Sequence, residues 1–340
     1  MEKLVSMWYK NQSLPEDYIF PPGTRPGKSI VPVCNDIPVV DLSTAVGCNR
    51  SDTIQKILKA GKEFGFFQVT NHGVPEELIN ETMSVLKEFF EMPAEYKASL
   101  YSEDTTKSCR LCTSTVHYTD EEIHYWRDIL RHPCHPNLDE SIREWPEKPT
   151  RYREVIGAYS IEARKLGSMI LELIAEGLGL DTHYFKNERS EASVLSINHY
   201  PPCPDPSLTL GIPKHCDPNI ITILLQDVCG LQVFRDGKWL GVEPLPNAFV
   251  INIGYALQII SNNKLTSAEH RGVTNSKETR TTAAFFINPA VDSIIEPAKT
   301  LTLTDPPVFR ACQYKELVTR YHFMSGDPEL VLEPFKLKAY

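Results

Sequence analysis

The sequence contains 340 residues, of which 41% are hydrophobic and 23% are charged, and its formal net charge is −9. This composition is typical of a soluble enzyme and excludes a disordered or collagen-like chain. The negative charge, without any cluster of lysine and arginine, argues against a nucleic-acid-binding surface. No apolar run approaches the roughly 18 residues of a membrane-spanning helix, and the first residues do not resemble a secretory signal. We therefore expect a cytoplasmic protein that binds neither nucleic acid nor membrane.

The first part of the chain is predicted to be an extended arm followed by strands and helices. Residues 1–36 are rich in proline and short polar stretches, so we expect the arm there. Apolar periodicity predicts strands at 37–42 and 65–70 and helices that begin near Ser51, Pro75 and Thr150. Ser51 or Asp52 is the expected cap of the first of these helices. Residues 101–124 show no clear period, and we expect a variable loop there.

After residue 190 the sequence changes to short β-rich segments separated by turn signals. The predicted strands cover 194–200, 220–225, 230–234, 238–242, 248–253 and 281–287. Asp236-Gly237 lies between two of these strands and predicts a hairpin, because both residue types tolerate positive φ. Many short strands in one compact segment indicate a double-sheet jelly roll. The predicted fold class is mainly β with surrounding helices (α+β), built on a double-stranded β-helix (jelly-roll) core.

The sequence has no linker that would separate independent domains, so we expect one integrated globular unit. Within it we expect an N-terminal helical and strand region at 1–189, the jelly-roll core at 190–300, and a C-terminal helix and tail at 301–340. The last region contains Tyr321, His322 and Phe323. It follows the core, so the segment from Tyr314 is a candidate lid over the mouth of a pocket.

Three polar residues of the predicted core point to a metal site. His215 and Asp217 are two residues apart in an extended segment, so both side chains reach the same point in space. Together with His270 they form two imidazoles and one carboxylate, the ligand set of non-haem Fe(II) centres that activate O₂. Ten residues later come Arg280 and Thr282, which suit a small dicarboxylate, because a guanidinium binds a carboxylate through two parallel bonds. The sequence therefore predicts an Fe(II) oxygenase.

These motifs and several others resemble, in order and spacing, the plant-type 2-oxoglutarate- and Fe(II)-dependent dioxygenases, a family of flavonoid, gibberellin and alkaloid hydroxylases. The resemblance covers nearly the whole chain, with the family's N-terminal part at about 37–140. It is carried by Ile37-Pro38-Val39-Val40-Asp41-Leu42, Phe64–Pro75, Asn198-His199-Tyr200-Pro201-Pro202-Cys203-Pro204, the His-x-Asp, the distal His and Arg280-Thr281-Thr282. The segments Trp145–Pro149, Tyr152–Val155 and Glu176–Leu180 resemble the hyoscyamine 6-hydroxylase-like enzymes most closely.

The resemblance implies a role for each residue of the motifs. The expected ligands of Fe(II) are His215, Asp217 and His270. The expected partners of 2-oxoglutarate are Arg280, Thr282, Tyr200 and Asn198, and Phe286 is expected to line the substrate cavity. O₂ is the second cosubstrate, and ascorbate is the expected reductant. The chain departs from the family at Thr282, where Ser is usual, and at Tyr255, where many relatives carry Asp.

The reaction implied by the resemblance is the oxidation of a small specialised metabolite, such as an alkaloid or a flavonoid, with release of succinate and CO₂. Hydroxylation is the expected outcome, and a following desaturation or epoxidation stays open. One alternative is an Fe(II) oxidase of the same fold that does not use 2-oxoglutarate. Another is a jelly-roll protein that binds a small molecule without turnover. We expect a monomer whose partner is its small-molecule substrate.

Overall fold

The computed structural model describes residues 3–11, 13–28, 31–34, 36–115, 118–324 and 328–337. The α-helices are α1 Val5–Trp8, α2 Arg50–Glu63, α3 Glu76–Glu91, α4 Ala94–Leu100, α5 Leu138–Glu144, α6 Tyr152–Gly177, α7 Tyr255–Ile260, α8 Lys299–Thr302, α9 Tyr314–Phe323 and α10 Pro328–Leu332. The strands are β1 Val39–Asp41, β2 Phe66–Thr70, β3 Arg110–Thr113, β4 Asp128–His135, β5 Ala192–Tyr200, β6 Ile212–His215, β7 Ile221–Gln226, β8 Leu231–Arg235, β9 Lys238–Val242, β10 Phe249–Ile253, β11 His270–Gly272, β12 Arg280–Asn288, β13 Ile294–Ile295 and β14 Cys312–Gln313.

Two sheets form the centre of the molecule. The large sheet has eight strands in the order β1-β2-β10-β7-β12-β5-β4-β3, and the small sheet has four in the order β6-β11-β8-β9. Every pair is antiparallel except β1 with β2. This arrangement is the predicted jelly-roll core with surrounding helices, and the fold-class prediction is confirmed.

The outer face of the large sheet packs against helices. Leu166 and Ile170 of α6 belong to the same buried cluster as Leu195 of β5 and Phe285 and Ile287 of β12. Burying a side chain of this size stabilises the fold by about 1.5–3 kcal/mol. Helix α6 also approaches the sheet closely, because a side chain on Gly167 would collide with Ile287. The helices therefore hold the large sheet in place from outside.

The inner face of the large sheet turns towards the small sheet. A second buried cluster joins Leu224 and Ala284 of the large sheet to Leu231, Val233 and Val242 of the small one. Phe286 packs against this inner cluster, whereas its neighbour in the chain belongs to the outer one. Side chains along β12 therefore alternate between the outer and the inner face of the sheet. Polar residues on the inner face are free to form a site between the sheets.

The predicted hairpin at Asp236-Gly237 is also confirmed. Strands β8 and β9 pair in register up to Arg235 and Lys238, which flank the two turn residues. Both turn residues have positive φ, 49° for Asp236 and 76° for Gly237. These angles are those of a type I′ turn, which matches the twist of the two strands.

The prediction of a loop over residues 101–124 is wrong in part. Strand β3, Arg110–Thr113, lies within it and pairs with β4, Asp128–His135. Strand β4, the partner of β3, was not predicted because it contains Pro133. Proline lacks an N–H donor and is rare inside a sheet. The register of β4 against β5 shifts between Pro133 and His135, and this irregularity accommodates the proline.

Among the described residues of the predicted arm over 1–36, Leu4, Val5, Tyr18 and Phe20 are buried, and Val5–Trp8 form the short helix α1. Its Val5 is fully buried, and the backbone N–H groups of Val5 and Ser6 donate to the two carboxylate oxygens of Asp128 at 2.9 and 2.8 Å. The expected cap of α2 is wrong as well. The helix begins at Arg50 after Asn49, without a side-chain cap, and Asp52 lies in its first turn. There the negative charge of Asp52 interacts favourably with the positive end of the helix dipole.

The C-terminal region places α9 and α10 after the core. Residues 325–327 and 338–340 of the candidate lid lie outside the described residues, so lid closure stays a prediction. The boundaries at 189/190 and 300/301 also stay predictions. Across the described part of the chain, no helix is both long enough and apolar enough to traverse a bilayer.

Candidate active site

Two strands of the small sheet bring the three predicted metal ligands together. His215 ends β6, His270 begins β11, and these residues are direct partners in the register of the two strands. Asp217 lies two residues after His215, just beyond the end of β6. One donor atom from each of the three side chains lies within 4.8 Å of the others. The pairing of β6 with β11 therefore joins motifs that are 55 positions apart in the sequence.

Backbone carbonyls orient the two imidazoles. His215 Nδ1 lies 2.9 Å from the oxygen of Pro213, and His270 Nδ1 lies 3.0 Å from that of Ala268. A carbonyl only accepts, so each Nδ1 must carry the proton. Both Nε2 atoms then present lone pairs, and each lies 3.7 Å from Asp217 Oδ1. The tautomers are thus fixed in the form that binds metal.

The Asp217 carboxylate is held from its other side. Its Oδ2 accepts a hydrogen bond from Thr222 Oγ1 at 2.6 Å and lies 3.4 Å from Asn252 Nδ2. The backbone N–H of Tyr255 donates to the carbonyl of Asp217 at 2.8 Å, which anchors the loop that carries the ligand. Tyr255 therefore has a positioning role through its backbone, which the sequence did not reveal. The remaining oxygen of Asp217, Oδ1, faces the two imidazoles.

Electrostatics at this centre favour a bound cation. Burial lowers the pKa of His215, and a positive charge on His270 lowers it further, so the ring is neutral at neutral pH. Two imidazoles and one carboxylate are donors that suit a divalent metal. Two nitrogens and one oxygen on one side of a centre are the donors of a facial triad with open positions. The residues present fit Fe(II).

The predicted 2-oxoglutarate residues lie on neighbouring strands of the large sheet. Arg280 of β12 is the register partner of Tyr200 on β5, and Thr282 is the partner of Asn198. All four are buried. The guanidinium carbon of Arg280 lies 5.1 Å from the centre of the Tyr200 ring, a distance typical of a cation–π contact. The sheet register thus gathers the four residues into one patch of its inner face.

Two acceptors fix the guanidinium of Arg280. Its Nε donates to the carbonyl of Val228 at 3.0 Å, and its Nη2 donates to Gln226 Oε1 at 3.1 Å. Gln226 Nε2 is buried, and no acceptor among the described residues pairs with it. An unpaired buried donor costs about 1–3 kcal/mol, so an acceptor oxygen on a ligand fits this position. Gln226 was missed in the sequence because no motif marks it.

Glycine makes room for this patch at one clear position. A Cβ on Gly230 would lie 2.7 Å from Arg280 Cδ and 2.8 Å from its Nε. Such distances are shorter than side chains normally allow, so a residue larger than glycine would displace the arginine. The sequence offered no reason to single out this glycine.

Arg127 is a further residue that the sequence did not identify. Its Nη1 donates to Asn198 Oδ1 at 3.0 Å, and its Nε donates to the carbonyl of Ser114 at 3.0 Å. Because an arginine only donates, the Asn198 amide must turn its oxygen towards Arg127 and its nitrogen elsewhere. Asn198 is therefore held in one orientation beside Thr282.

Phe286 and the C-terminal helix border the same space. Phe286 of β12 is the register partner of Thr222 of β7, whose hydroxyl donates to Asp217. Phe286 is therefore one strand away from a residue that contacts a metal ligand. On α9, Tyr321 has a raised pKa because of burial, and Asp217 is the charged neighbour that raises it most. Helix α9 therefore places Tyr321 near Asp217.

His72, the histidine of Asn71-His72-Gly73, lies elsewhere. Its ring binds the carbonyl of Asn247 at 3.0 Å and accepts from the N–H of Val74 at 3.2 Å. Burial lowers the pKa of His72. It is a structural histidine whose two ring nitrogens both have backbone partners.

Comparisons with known proteins agree with this geometry. The 2OG-Fe(II) oxygenase superfamily model matches residues 191–289, and the model for the N-terminal part of the non-haem dioxygenase in morphine synthesis matches residues 37–151. Protein DOWNY MILDEW RESISTANCE 6 of Arabidopsis thaliana is 44% identical, with 98% of each chain covered. Hyoscyamine 6-dioxygenase of Hyoscyamus niger is 42% identical, with 100% of each chain covered.

Among solved structures, the crystal structure of JOX2 in complex with 2OG, Fe and JA superimposes with a TM-score of 0.86 at 32% identity. It covers 98% of this chain and 97% of that chain. The family models and the relatives agree on the class of enzyme, and the His215–Asp217–His270 group fits the metal that the family uses. The chain belongs to the 2OG-Fe(II) oxygenase superfamily and is a plant-type 2-oxoglutarate-dependent dioxygenase.

Proposed function

We propose that this chain catalyses the Fe(II)- and 2-oxoglutarate-dependent hydroxylation of a small specialised metabolite, with release of succinate and CO₂. The observation that carries the proposal is the convergence of His215, Asp217 and His270 within 4.8 Å. We assign these residues as the Fe(II) ligands. Three protein ligands leave three positions of an octahedron for 2-oxoglutarate and O₂.

When bound, iron and 2-oxoglutarate supply the oxidising chemistry, in which decarboxylation of 2-oxoglutarate and reduction of O₂ are coupled to oxidation of a substrate C–H bond. The chain's own residues position the reactants. The Nδ1–H groups of His215 and His270 donate to carbonyl oxygens, which turns both Nε2 atoms towards Asp217. Asp217 supplies one negative charge, and Thr222 holds that carboxylate in place at 2.6 Å. Orientation of this kind is what such outer partners contribute to a metal centre.

We assign Arg280 as the partner of the distal carboxylate of 2-oxoglutarate. A guanidinium has five N–H donors, and two of them are used by Val228 and Gln226. The others can form two parallel bonds to a carboxylate. The hydroxyls of Thr282 and Tyr200 are assigned as further donors, and Gln226 Nε2 adds a buried donor without an acceptor among the described residues. This surplus of donors suits a carboxylate, which only accepts.

We assign Asn198 to the edge of the cosubstrate pocket and Phe286 to the wall of the substrate cavity. Arg127 Nη1 donates to the Asn198 amide oxygen at 3.0 Å, and the amide nitrogen lies 3.5 Å from the carbonyl of Ser196, so the amide is held in one orientation. Phe286 lies near the metal ligands through its register with Thr222. An apolar wall there would exclude water from the oxidised carbon. A relative named for hyoscyamine and a related structure that contains JA support a small organic substrate.

The test is a screen of plant metabolites with the full-length protein, Fe(II), ascorbate and 2-oxoglutarate, read by succinate release and by product mass. We expect one class of substrate to raise succinate release and to gain one oxygen atom per succinate formed. Product formation that is unchanged without 2-oxoglutarate would instead identify an Fe(II) oxidase. Saturable binding of a metabolite with no product and no succinate would identify a binding protein.

A further inference from the structure

One arginine on the inner face of the large sheet has no role in the metal centre or in the 2-oxoglutarate pocket. Arg131 lies on β4, opposite Ser196 of β5, which in turn lies opposite Ala284 of β12. Directly opposed residues of antiparallel strands project to the same face. Ala284 belongs to the cluster between the two sheets. Arg131 therefore faces the interior, on the same side as Thr282 and Phe286.

The side chain of Arg131 lines a space and is not packed into a core. More than a third of its surface is accessible, although its strand lies between β3 and β5. Burial by the surrounding protein nevertheless lowers its pKa, and the positive charge of Arg110 lowers it further. A side chain that is accessible, faces inward and is still withdrawn from bulk water borders a cavity.

A second arginine faces the first. Arg110 on β3 is the direct register partner of Arg131, so two positive side chains oppose each other. Like charges in such a pair destabilise a sheet. Within the described ranges, no carboxylate pairs with Arg131, and Arg110 Nε is buried without an acceptor. Arg110 Nη1 has only the carbonyl of Asp104, at 3.3 Å. The charge of Asp104 offsets part of this repulsion from the side of Arg110.

Arg131 lies on the same face of the large sheet as Thr222, the residue that binds Asp217. Tyr314 of α9 has a raised pKa because of burial, and both Arg131 and Asp217 are among its charged neighbours. Between the strand of Arg131 and β7, whose Thr222 binds Asp217, lie only β5 and β12. Three strand spacings correspond to roughly 14 Å. An elongated small molecule can therefore have one end at Arg131 and the other at the metal.

We propose that Arg131, with Arg110 beside it, binds a carboxylate of the substrate and so directs the opposite end of that substrate to the metal centre. The guanidinium matches a carboxylate through parallel bonds, and an anion between the two arginines removes their repulsion. This inference rests on the proposed function for the identity of the reacting end. Among specialised metabolites it selects acids and disfavours a cationic alkaloid, which the same two charges would repel.

The test compares head groups on the full-length protein. A panel of aromatic and alicyclic monocarboxylic acids is measured beside the primary amide of each acid, first by calorimetry without metal and then by succinate release with Fe(II) and 2-oxoglutarate. We expect at least one acid to bind more than tenfold tighter than its amide. Arg131→Gln should remove this preference, weakening the acid by about 10- to 150-fold, the range for hydrogen bonds to charged groups. Arg131→Lys should keep part of it.

Two controls make the result specific. Arg143→Gln removes the same charge from an exposed position of α5 and should leave the preference intact. Arg131→Gln should also raise the melting temperature of the ligand-free protein, because it relieves the repulsion by Arg110. A lower melting temperature, or the absence of any acid preference throughout the panel, overturns the proposal.

The two readouts separate this inference from the proposed function. If acids bind through Arg131 but no compound promotes succinate release, the carboxylate site stands and the proposed function fails. If succinate release occurs with amides as readily as with acids, the proposed function stands and the carboxylate site fails.

Discussion

The two ends of the region between the two sheets differ in how far their polar groups are already paired. At the metal end, both His Nδ1 atoms, one oxygen of Asp217 and two donors of Arg280 have partners within the protein. At the end formed by β3 and β4, Arg131 lacks a carboxylate partner among the residues described, and Arg110 has a buried donor without an acceptor. The first end is oriented before any ligand arrives. The second is completed by one.

The difference shows that the free protein already orients the groups that are proposed to bind iron and 2-oxoglutarate. Groups that are fixed in the free protein lose little freedom when the reactants bind, so their interactions act at full strength. Iron and 2-oxoglutarate meet such groups. A substrate carboxylate instead meets two arginines that repel each other, and its binding relieves that repulsion. Four predictions test the residues that are proposed to bind iron and 2-oxoglutarate, from the largest expected effect to the smallest.

The largest effect is expected from loss of a metal ligand. Asp217→Ala should reduce turnover on the order of 1000-fold or more, because the site loses its charge and one of three donors. His215→Ala and His270→Ala should behave alike. Succinate release is the measurement, with circular dichroism as the check on folding. Asp139→Ala, at an exposed position of α5, is the control. Near-normal turnover in any of the three variants would remove that residue from the metal site.

Arg280→Lys should weaken the apparent affinity for 2-oxoglutarate by about 100-fold while the KM of the substrate changes little. Lysine keeps the charge but cannot form two parallel bonds to a carboxylate or reach Gln226 and Val228 as the guanidinium does. Titration of each reactant separates the two effects. Equal losses for 2-oxoglutarate and substrate would show that Arg280 does not hold the cosubstrate.

Thr282 should show a smaller effect that depends on its hydroxyl. Thr282→Ser keeps the hydroxyl and should be nearly silent. Thr282→Val keeps the branched shape and loses the donor, at a cost of about 1–3 kcal/mol, or 5- to 150-fold in 2-oxoglutarate affinity. Iron affinity should not change in either variant. The opposite order, with Val normal and Ser impaired, would mean that Thr282 acts through packing of its methyl group.

The smallest effect is expected at Gly230. Gly230→Ala places a Cβ 2.7 Å from Arg280 Cδ and must push the arginine from its rotamer. An off-rotamer side chain costs about 0.5–1.5 kcal/mol, so 2-oxoglutarate affinity should fall by about two- to tenfold. Gly23→Ala, where the added Cβ has no neighbour within 4 Å, is the matched control. Unchanged affinity would show that Arg280 tolerates a shift of its side chain.

Most residues proposed to bind iron and 2-oxoglutarate could be predicted, because local spacing and the alternation of side chains along strands determine which of them share a face. His215 and Asp217 lie two residues apart in extended chain, and Arg280, Thr282 and Phe286 share a strand face by the same rule. That His270 joins them depends on the pairing of β6 with β11, for which the sequence supplied only a resemblance. The partners Thr222 and Gln226 could not be predicted: no motif marks Thr222, five residues after Asp217, and Gln226 meets Arg280 only through the pairing of β7 with β12.

The other end could not be predicted because the strands that carry it were not recognised. Strand β4 contains Pro133 and three histidine or cysteine residues in place of a clear alternation of apolar side chains, and β3 was expected to be loop. Without the pairing of β3 with β4, Arg110 and Arg131 are two basic residues 21 positions apart in an unremarkable stretch. Their opposition exists only in the register.

The position of β3 at the margin of the large sheet has a consequence for how such enzymes diverge. Strand β3 pairs along its length with β4 alone and has a single bridge, Tyr101 to Leu111, on its other side, whereas β7 and β12 in the middle each pair with two strands. Replacing a residue on the marginal strand therefore disturbs fewer interactions. Natural selection can exchange Arg110 for another side chain, and with it the preferred metabolite, while the oxidising machinery is inherited unchanged.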